Sequence, residues 1–208
     1  YLANGSEPWR YPKVEHLRPI KPPFAQKSDL SDDVFLPYHR DKKLVRKWAV
    51  PGMKGFEHRV GGLEKEAETG NVSYDPENHE KMVKTRQAKV DNIANDIPQQ
   101  AIETGKESGK VLVLGWGSTF GAIKTAVMEC IEEGMDVSQA HLTYLNPLPR
   151  NLEDVLNRFE KVLIPEMNNG QLVHIIRDKF LLNAVPLNKI QGVPFAVNEI
   201  KEKIKEIY

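Results

Sequence analysis

The chain has 208 residues, 40% of them hydrophobic, and its 29 Lys and Arg balance 29 Asp and Glu to a formal net charge of zero. That length suffices for a substantial core, as one domain or one domain with a large appendage, and the neutral balance argues against nucleic acid as a partner. A single cysteine, Cys130, excludes an internal disulfide framework and a four-thiolate iron–sulfur cage, no stretch approaches the roughly 20 apolar residues of a membrane span, and no signal-peptide pattern opens the chain. A reducing, cytoplasmic setting without membrane association is expected, and because the first residue is Tyr1 the chain is expected to be a piece of a longer polypeptide.

Residues 1–60 carry seven of the 14 prolines and 12 Lys and Arg against seven Asp and Glu. Proline removes backbone donors and fixes φ, which predicts an irregular arm rather than a packed layer. Trp9, Phe24, Phe35 and Trp48 are too apolar for a solvated tail, so the arm is expected to lie on its own domain or on a partner, and self-pairing into a homodimer is one way to cover it. Residues 61–104 form a linker. Within it Asp75, Pro76 and Glu77 mark a helix start, Val83, Val90, Ile93 and Ile97 recur at helical spacing, and Pro98 marks the end. His58, Glu64 and His79 invite a metal reading, but "HEKMV" lacks the second histidine of H-E-x-x-H. A solvated polar surface accounts for them instead.

From residue 105 the pattern alternates. "KVLVLGW" reads as a strand buried on both faces, "STFGAIKTAVMECIEEG" as a helix with Ala122, Ala126, Val127 and Cys130 on one side, and "VSQAHLTYL", "KVLIPE" and "LNKIQG" as further strands. The helices between and after them are "NLEDVLNRF", "GQLVHIIRDKFLLNA" and "AVNEIKEKIKEIY". This predicts an α/β domain over 105–208 with a mostly parallel sheet and helices on both faces. Ligands in such sheets gather at the carboxyl ends of the strands, which singles out Gly115–Thr119, Asn146–Arg150 and Glu166–Gln171.

The glycines Gly115, Gly117 and Gly121 are one residue too widely spread for the dinucleotide fingerprint, and Asp136, near the distance expected of a ribose-binding acid, follows Gly134 in a turn. Gly117, Ser118 and Thr119 can serve as turn and helix cap or can face a phosphate-bearing ligand, although the nearest cation, Lys124, lies more than a turn into the helix. "PEMNNGQL" puts a carboxylate at a strand end and Asn168 and Gln171 at a helix N-terminus, where backbone donors favour an anionic partner. An asparagine cap is equally open there. Cys130 reads as a buried small hydrophobe rather than a nucleophile. No Ser/His/Asp or Cys/His arrangement assembles, so no catalytic and no metal-binding residue is assigned.

Longer motifs carry a resemblance. "YLANGSEPW", "PGMKGFEHRVGGLEKEAETGNVSYDPENHEKMVKTRQAKV", "LGWGSTFGAI", "LNPLP", "PEMNNGQL" and "NKIQGVPF" resemble the α subunit of 2-oxoacid:ferredoxin oxidoreductases, most nearly the 2-oxoglutarate type. The resemblance implies that residues 105–208 adopt the transketolase C-terminal fold and that Tyr1–Trp9 end a pyrimidine-binding domain. It also implies that the whole enzyme uses thiamine diphosphate, magnesium and iron–sulfur clusters carried elsewhere, converting a 2-oxoacid and coenzyme A to an acyl-coenzyme A with electrons passing to ferredoxin. The family's Tyr-Pro-Ile-Thr-Pro segment is absent, so this stretch is expected to serve assembly, with a β subunit and other subunits as partners and no cofactor of its own. Pyruvate, a branched-chain 2-oxoacid, and an independent phosphate-binding role are the alternatives.

Overall fold

The structure is a computed structural model that describes residues 12–208. Its contacts divide these residues into two compact units, 12–96 and 97–208.

In the first unit a short hairpin joins β1 (Leu30–Ser31) to β2 (Val34–Phe35). Its two turn residues, Asp32 and Asp33, take φ of +50° and +62°, the double left-handed turn that matches strand twist and that aspartate tolerates. Phe35 is only 7% exposed and packs with Ala25 and Phe56, the two rings 5.1 Å apart. The expectation of an unpacked arm is corrected here: the prolines interrupt regular structure, yet backbone bonds from Ala25 to Trp48 (2.8 Å) and from Trp48 to Pro23 (2.9 Å) hold the segments together over a small core. Phe24 and Trp48 stay 48% and 59% exposed, and Trp9 lies outside the described residues.

Helix α1 runs Pro76–Asn92, with the Asp75 side chain accepting from the Glu77 amide at 2.9 Å and proline at the first turn. Its buried contact differs from the expected stripe. Met82 is 1% exposed, whereas Val83 and Ile93 are 44% and 43% exposed. A shift of one residue turns a helix face by about 100°, and methionine's flexible side chain fills the contact that β-branched valine was expected to make.

The second unit is a five-stranded sheet of order β3-β5-β4-β6-β7, built from β3 (Ile102–Thr104), β4 (Gly109–Trp116), β5 (Val137–Leu142), β6 (Phe159–Glu166) and β7 (Val185–Asn188). All pairings are parallel except β3 with β5. Helices α2 (Phe120–Glu132) and α5 (Val197–Ile207) share a core with Val111, Val113 and Leu163, while α3 (Leu152–Leu156) and α4 (Gln171–Phe180) share one with Leu112, Leu114 and Ile164. Successive strand residues point to opposite faces, so covering both faces is what makes β4 a continuous apolar run; Val111 to Leu114 are all fully buried. Emptying one such position, as in Leu112→Ala, costs about 2–5 kcal/mol.

Two elements differ from the sequence reading. The antiparallel edge strand β3 was not anticipated, its half-exposed "IET" being too short to show periodicity. The last strand was placed at "LNKIQG" but is "VPLN", and Pro186 is tolerated because β7 is an edge that pairs with β6 alone.

Candidate functional site at the carboxyl edge of the sheet

Strands β5 and β6 flank β4 on opposite sides. The chain therefore leaves β4 toward one neighbour and returns on the other, the topological switch point at which open α/β sheets carry their ligands. A small cleft of about 130 Å³ lies there, lined by Trp116, Gly117, Ser118, Thr119, Met167 and Asn168. Four of the five sequence-predicted candidates, Gly117, Ser118, Thr119 and Asn168, thus come together; Gln171 is the first residue of α4, beyond the lining.

The glycines of this loop have separate causes. A Cβ on Gly115 would meet Ile123 Cδ1 at 2.5 Å and His141 Nδ1 and Thr119 Oγ1 at 3.0 Å, so close packing between strand and helix dictates that glycine. Gly117 has φ of +59° with open space around its Cα and is needed for the turn. The Thr119 hydroxyl donates to the Trp116 carbonyl at 2.9 Å and accepts from its amide at 3.3 Å. Ser118 donates to Met167 Sδ at 3.6 Å, and the Lys124 ammonium lies 5.5 Å over the Phe120 ring.

Glu166, the last residue of β6, is fully buried. Its Oε1 accepts from Leu172 N at 2.8 Å, Asn168 Nδ2 at 3.2 Å and Trp116 Nε1 at 3.3 Å, and its Oε2 accepts from Val173 N at 3.0 Å. Asn168 Oδ1 accepts from Gly170 N at 2.7 Å and Gln171 N at 3.0 Å. The first amides of α4 are therefore satisfied from within the chain. A helix N-terminus favours a negative charge, and here the protein supplies its own; the anion-binding and the asparagine-cap readings of "PEMNNGQL" meet in one internal network.

His141 sits opposite Gly115 on β5. Its ring stands edge-on to Phe120 with centroids 5.0 Å apart, and its Nδ1 is buried without a hydrogen-bond partner among the described residues. Burial pushes its pKa below the ordinary histidine value, opposed in part by a hydrogen bond with the Gly117 backbone, so the neutral imidazole is favoured.

The other sequence candidates lie apart. Asp136 precedes β5 and pairs with Lys106 at 3.2 Å. It aligns with the amino end of β4 through the Val111–Val137 register, some six residues or roughly 20 Å from the glycine loop at about 3.3 Å per residue, which removes the ribose-binding role. Glu64 bonds His79 Nδ1 at 2.6 Å and Arg86 Nη1 at 3.3 Å and fastens its loop to α1, and among the described residues no three His, Cys, Asp or Glu side chains share a metal-sized space. Cys130 is buried in α2, where desolvation raises its thiol pKa. Sequence reasoning singled out the "PEMNNGQL" carboxylate but assigned Glu166 no role, and missed His141. The signal for the first was an acid directly after the apolar run "VLIP" and three residues before "NGQL"; for the second, no pattern announces it.

Comparison with known proteins agrees with this architecture. Residues 109–202 match the family model described as pyruvate:ferredoxin oxidoreductase core domain II. The match spans 94 of the 208 residues, all in the second unit. The chain is 44% identical over 205 residues to the 2-oxoglutarate oxidoreductase subunit KorA of Mycobacterium tuberculosis, covering 98% of this chain and 30% of that protein. It is 32% identical over 143 residues to the 2-oxoglutarate synthase subunit KorA of Methanocaldococcus jannaschii, covering 66% of this chain and 36% of that one. Among solved structures, a 2-oxoglutarate:ferredoxin oxidoreductase from Magnetococcus marinus, bound to 2-oxoglutarate, coenzyme A and succinyl-CoA, superposes with a TM-score of 0.74 at 29% identity, covering 81% of this chain and 30% of that chain. The chain is similar to 2-oxoacid:ferredoxin oxidoreductase α subunits, and it spans about a third of the length of the curated relatives quoted.

Proposed function

We propose that this chain is the C-terminal part of an α subunit of a thiamine-diphosphate-dependent 2-oxoglutarate:ferredoxin oxidoreductase, which converts 2-oxoglutarate, coenzyme A and oxidised ferredoxin to succinyl-coenzyme A, carbon dioxide and reduced ferredoxin in the cytoplasm. The observation that carries the reading is the 44% identity over 98% of the chain to a 2-oxoglutarate oxidoreductase subunit. Within that enzyme the part described here serves assembly. Its sheet edge is closed by its own Glu166 network, and the cleft of about 130 Å³ is well below the several hundred Å³ of a cofactor pocket. The residues present do not fit an iron–sulfur cluster, since the one cysteine lies in the packed side of α2, and no acidic group suited to a magnesium diphosphate stands among the described residues. Thiamine diphosphate, where it is bound, supplies the carbanion chemistry of decarboxylation; the residues here hold a subunit in shape.

A second reading, pyruvate as the 2-oxoacid, draws on the description of the matched domain family. A full-length α subunit containing this chain, in complex with its β subunit, separates the two. Coenzyme A-dependent ferredoxin reduction should be supported by 2-oxoglutarate with kcat/KM at least about tenfold above pyruvate and 2-oxoisovalerate, a difference of some 1.4 kcal/mol in transition-state binding. A preference for pyruvate would reverse the assignment, and failure to associate with the β subunit would remove it.

A further inference from the structure

The unit of residues 12–96 holds a pocket for which the proposed function has no use. It lies between residues 28–31 and the chain that follows β2 and has a volume of about 400 Å³, against about 130 Å³ for the carboxyl-edge cleft. That volume falls within the roughly 300–1,000 Å³ of small-molecule sites. Phe35, which is buried, and Leu30, Leu36 and Val45, which are half-buried, give the pocket an apolar floor. Ser28, Ser31 and Asp41 are exposed and, with Asp29, bring oxygens to its rim.

The backbone fixes the rim carboxyl groups without using up their oxygens. Asp29 Oδ2 accepts from Gln26 N at 2.7 Å, and Asp41 Oδ1 accepts from Lys43 N and Val45 N at 2.8 and 2.9 Å. The second oxygens stay open. The Lys47 ammonium is 3.8 Å from Asp29 Oδ1, beyond hydrogen-bond reach, and Asp41 Oδ2 accepts no hydrogen bond among the described residues. The Ser28 and Ser31 hydroxyls make none there either. His39 is taken by Glu68 at 2.9 Å, and Lys47 is the single lysine or arginine of the lining, so the charge balance is acidic. A primary ammonium has three donors and no acceptor, which suits a rim whose open groups are mostly oxygens, and an apolar body gains by covering the floor. An anionic ligand would meet like charges at Asp29 and Asp41.

We propose that this pocket binds a primary ammonium carried on an apolar stem, the ammonium at Asp41 with the Ser28 and Ser31 hydroxyls and the stem over Phe35 and Leu36. The site is independent of the carboxyl-edge cleft and of the enzymatic reading. Amide ¹H–¹⁵N spectra of the full chain test it with three probes of one shape, 3-methylbutylamine, 3-methylbutanol and 3-methylbutanoate, added at neutral pH and constant ionic strength. The signals of Leu30, Ser31, Leu36 and Val45 should move in a saturating manner with the amine, at least about tenfold more weakly with the alcohol, and without saturation with the acid. Asp41→Asn keeps the Oδ1 acceptor for the two amides and removes the charge; it should weaken the amine about tenfold, the effect of losing one charged partner, and leave the alcohol unchanged. The peptide acetyl-Gly-Lys-Gly-amide separates the sources of the ammonium: binding tighter than that of the amine assigns it to a lysine side chain of a polypeptide, weaker binding to a free small molecule. Linear drift with the amine, equal affinity for amine and alcohol, saturation by the acid, or amine binding indifferent to Asp41→Asn overturns the proposal. Should Asp41→Asn fail to fold, Lys47→Gln removes the competing cation from an exposed side chain and should tighten the amine, and unchanged or weaker binding there overturns the proposal as well.

Discussion

Replacing Glu166 probes the closure of the sheet edge directly. In Glu166→Ala the amides of Leu172 and Val173, formerly bonded at 2.8 and 3.0 Å, and the Trp116 indole N–H at 3.3 Å lose their acceptor at a position with no solvent exposure. An orphaned buried donor costs about 1–3 kcal/mol, and water entering the space left by the side chain recovers part of that. The net loss is set at about 3–5 kcal/mol, a large share of the 5–15 kcal/mol of a typical domain. Glu166→Gln keeps an oxygen at the Oε1 position, where three donors converge, but turns an amide N–H₂ toward the Val173 N–H. That mismatch and the lost charge at the helix N-terminus cost about 1–3 kcal/mol. Urea unfolding gives the global change, and hydrogen exchange at the Leu172 and Val173 amides reads the local one. If both variants fall within about 0.5 kcal/mol of the parent with unchanged exchange at those amides, Glu166 does not hold the edge and the argument fails.

Three further outcomes are expected. Gly115→Ala should cost about 1–3 kcal/mol, because its Cβ meets Ile123 at 2.5 Å, whereas Gly117→Ala, with open space but φ of +59°, should cost about 1 kcal/mol; thermal unfolding ranks the two, and the reverse order would contradict the packing account. Cys130 should react with a thiol reagent only at the rate at which its unit opens, since the thiol is buried and its pKa raised; fast labelling of the native chain would show it accessible. Glu133 is held below the usual carboxylate range by hydrogen bonds from Lys205 and Lys201, and Glu199 by one from Lys189. A carboxylate depressed in the folded state stabilises above its unfolded pKa, and that stability is lost as pH falls through the folded one. Stability should therefore begin to fall as pH drops through the usual carboxylate range and continue to fall below it, and Glu133→Gln should flatten that decline in a pH series of melting temperatures; an unchanged pH profile would mean that the α2–α5 ion pairs contribute nothing.

The β4–α2 junction was legible because burial on both faces forces an unbroken apolar strand, and a glycine turn before apolar residues at helical spacing has few other readings. Glu166 and Asn168 stood out for their position at a helix start, yet sequence alone could not say whether the helix amides serve a ligand or the protein's own carboxylate, since both present the same residues. The packing of Phe35 with Phe56 was hidden because it depends on backbone bonds between segments without periodicity. Proline content reported the irregularity correctly but said nothing of the small core beneath. Met82 was missed for a related reason: a helix that buries one side chain leaves too faint a stripe to fix its orientation.

The central claim is that the carboxyl edge of this sheet serves structure rather than chemistry. It is tested most directly by steady-state kinetics of a full-length α subunit containing this chain, in complex with its β subunit and carrying Ser118→Ala or Asn168→Ala in the cleft. The account predicts kcat and the KM values for 2-oxoglutarate and coenzyme A within about twofold of the parent, less than 0.5 kcal/mol in transition-state stabilisation. A loss of about a hundredfold in kcat, or in kcat/KM for either substrate, with the complex intact, would place the reaction at this edge and contradict it.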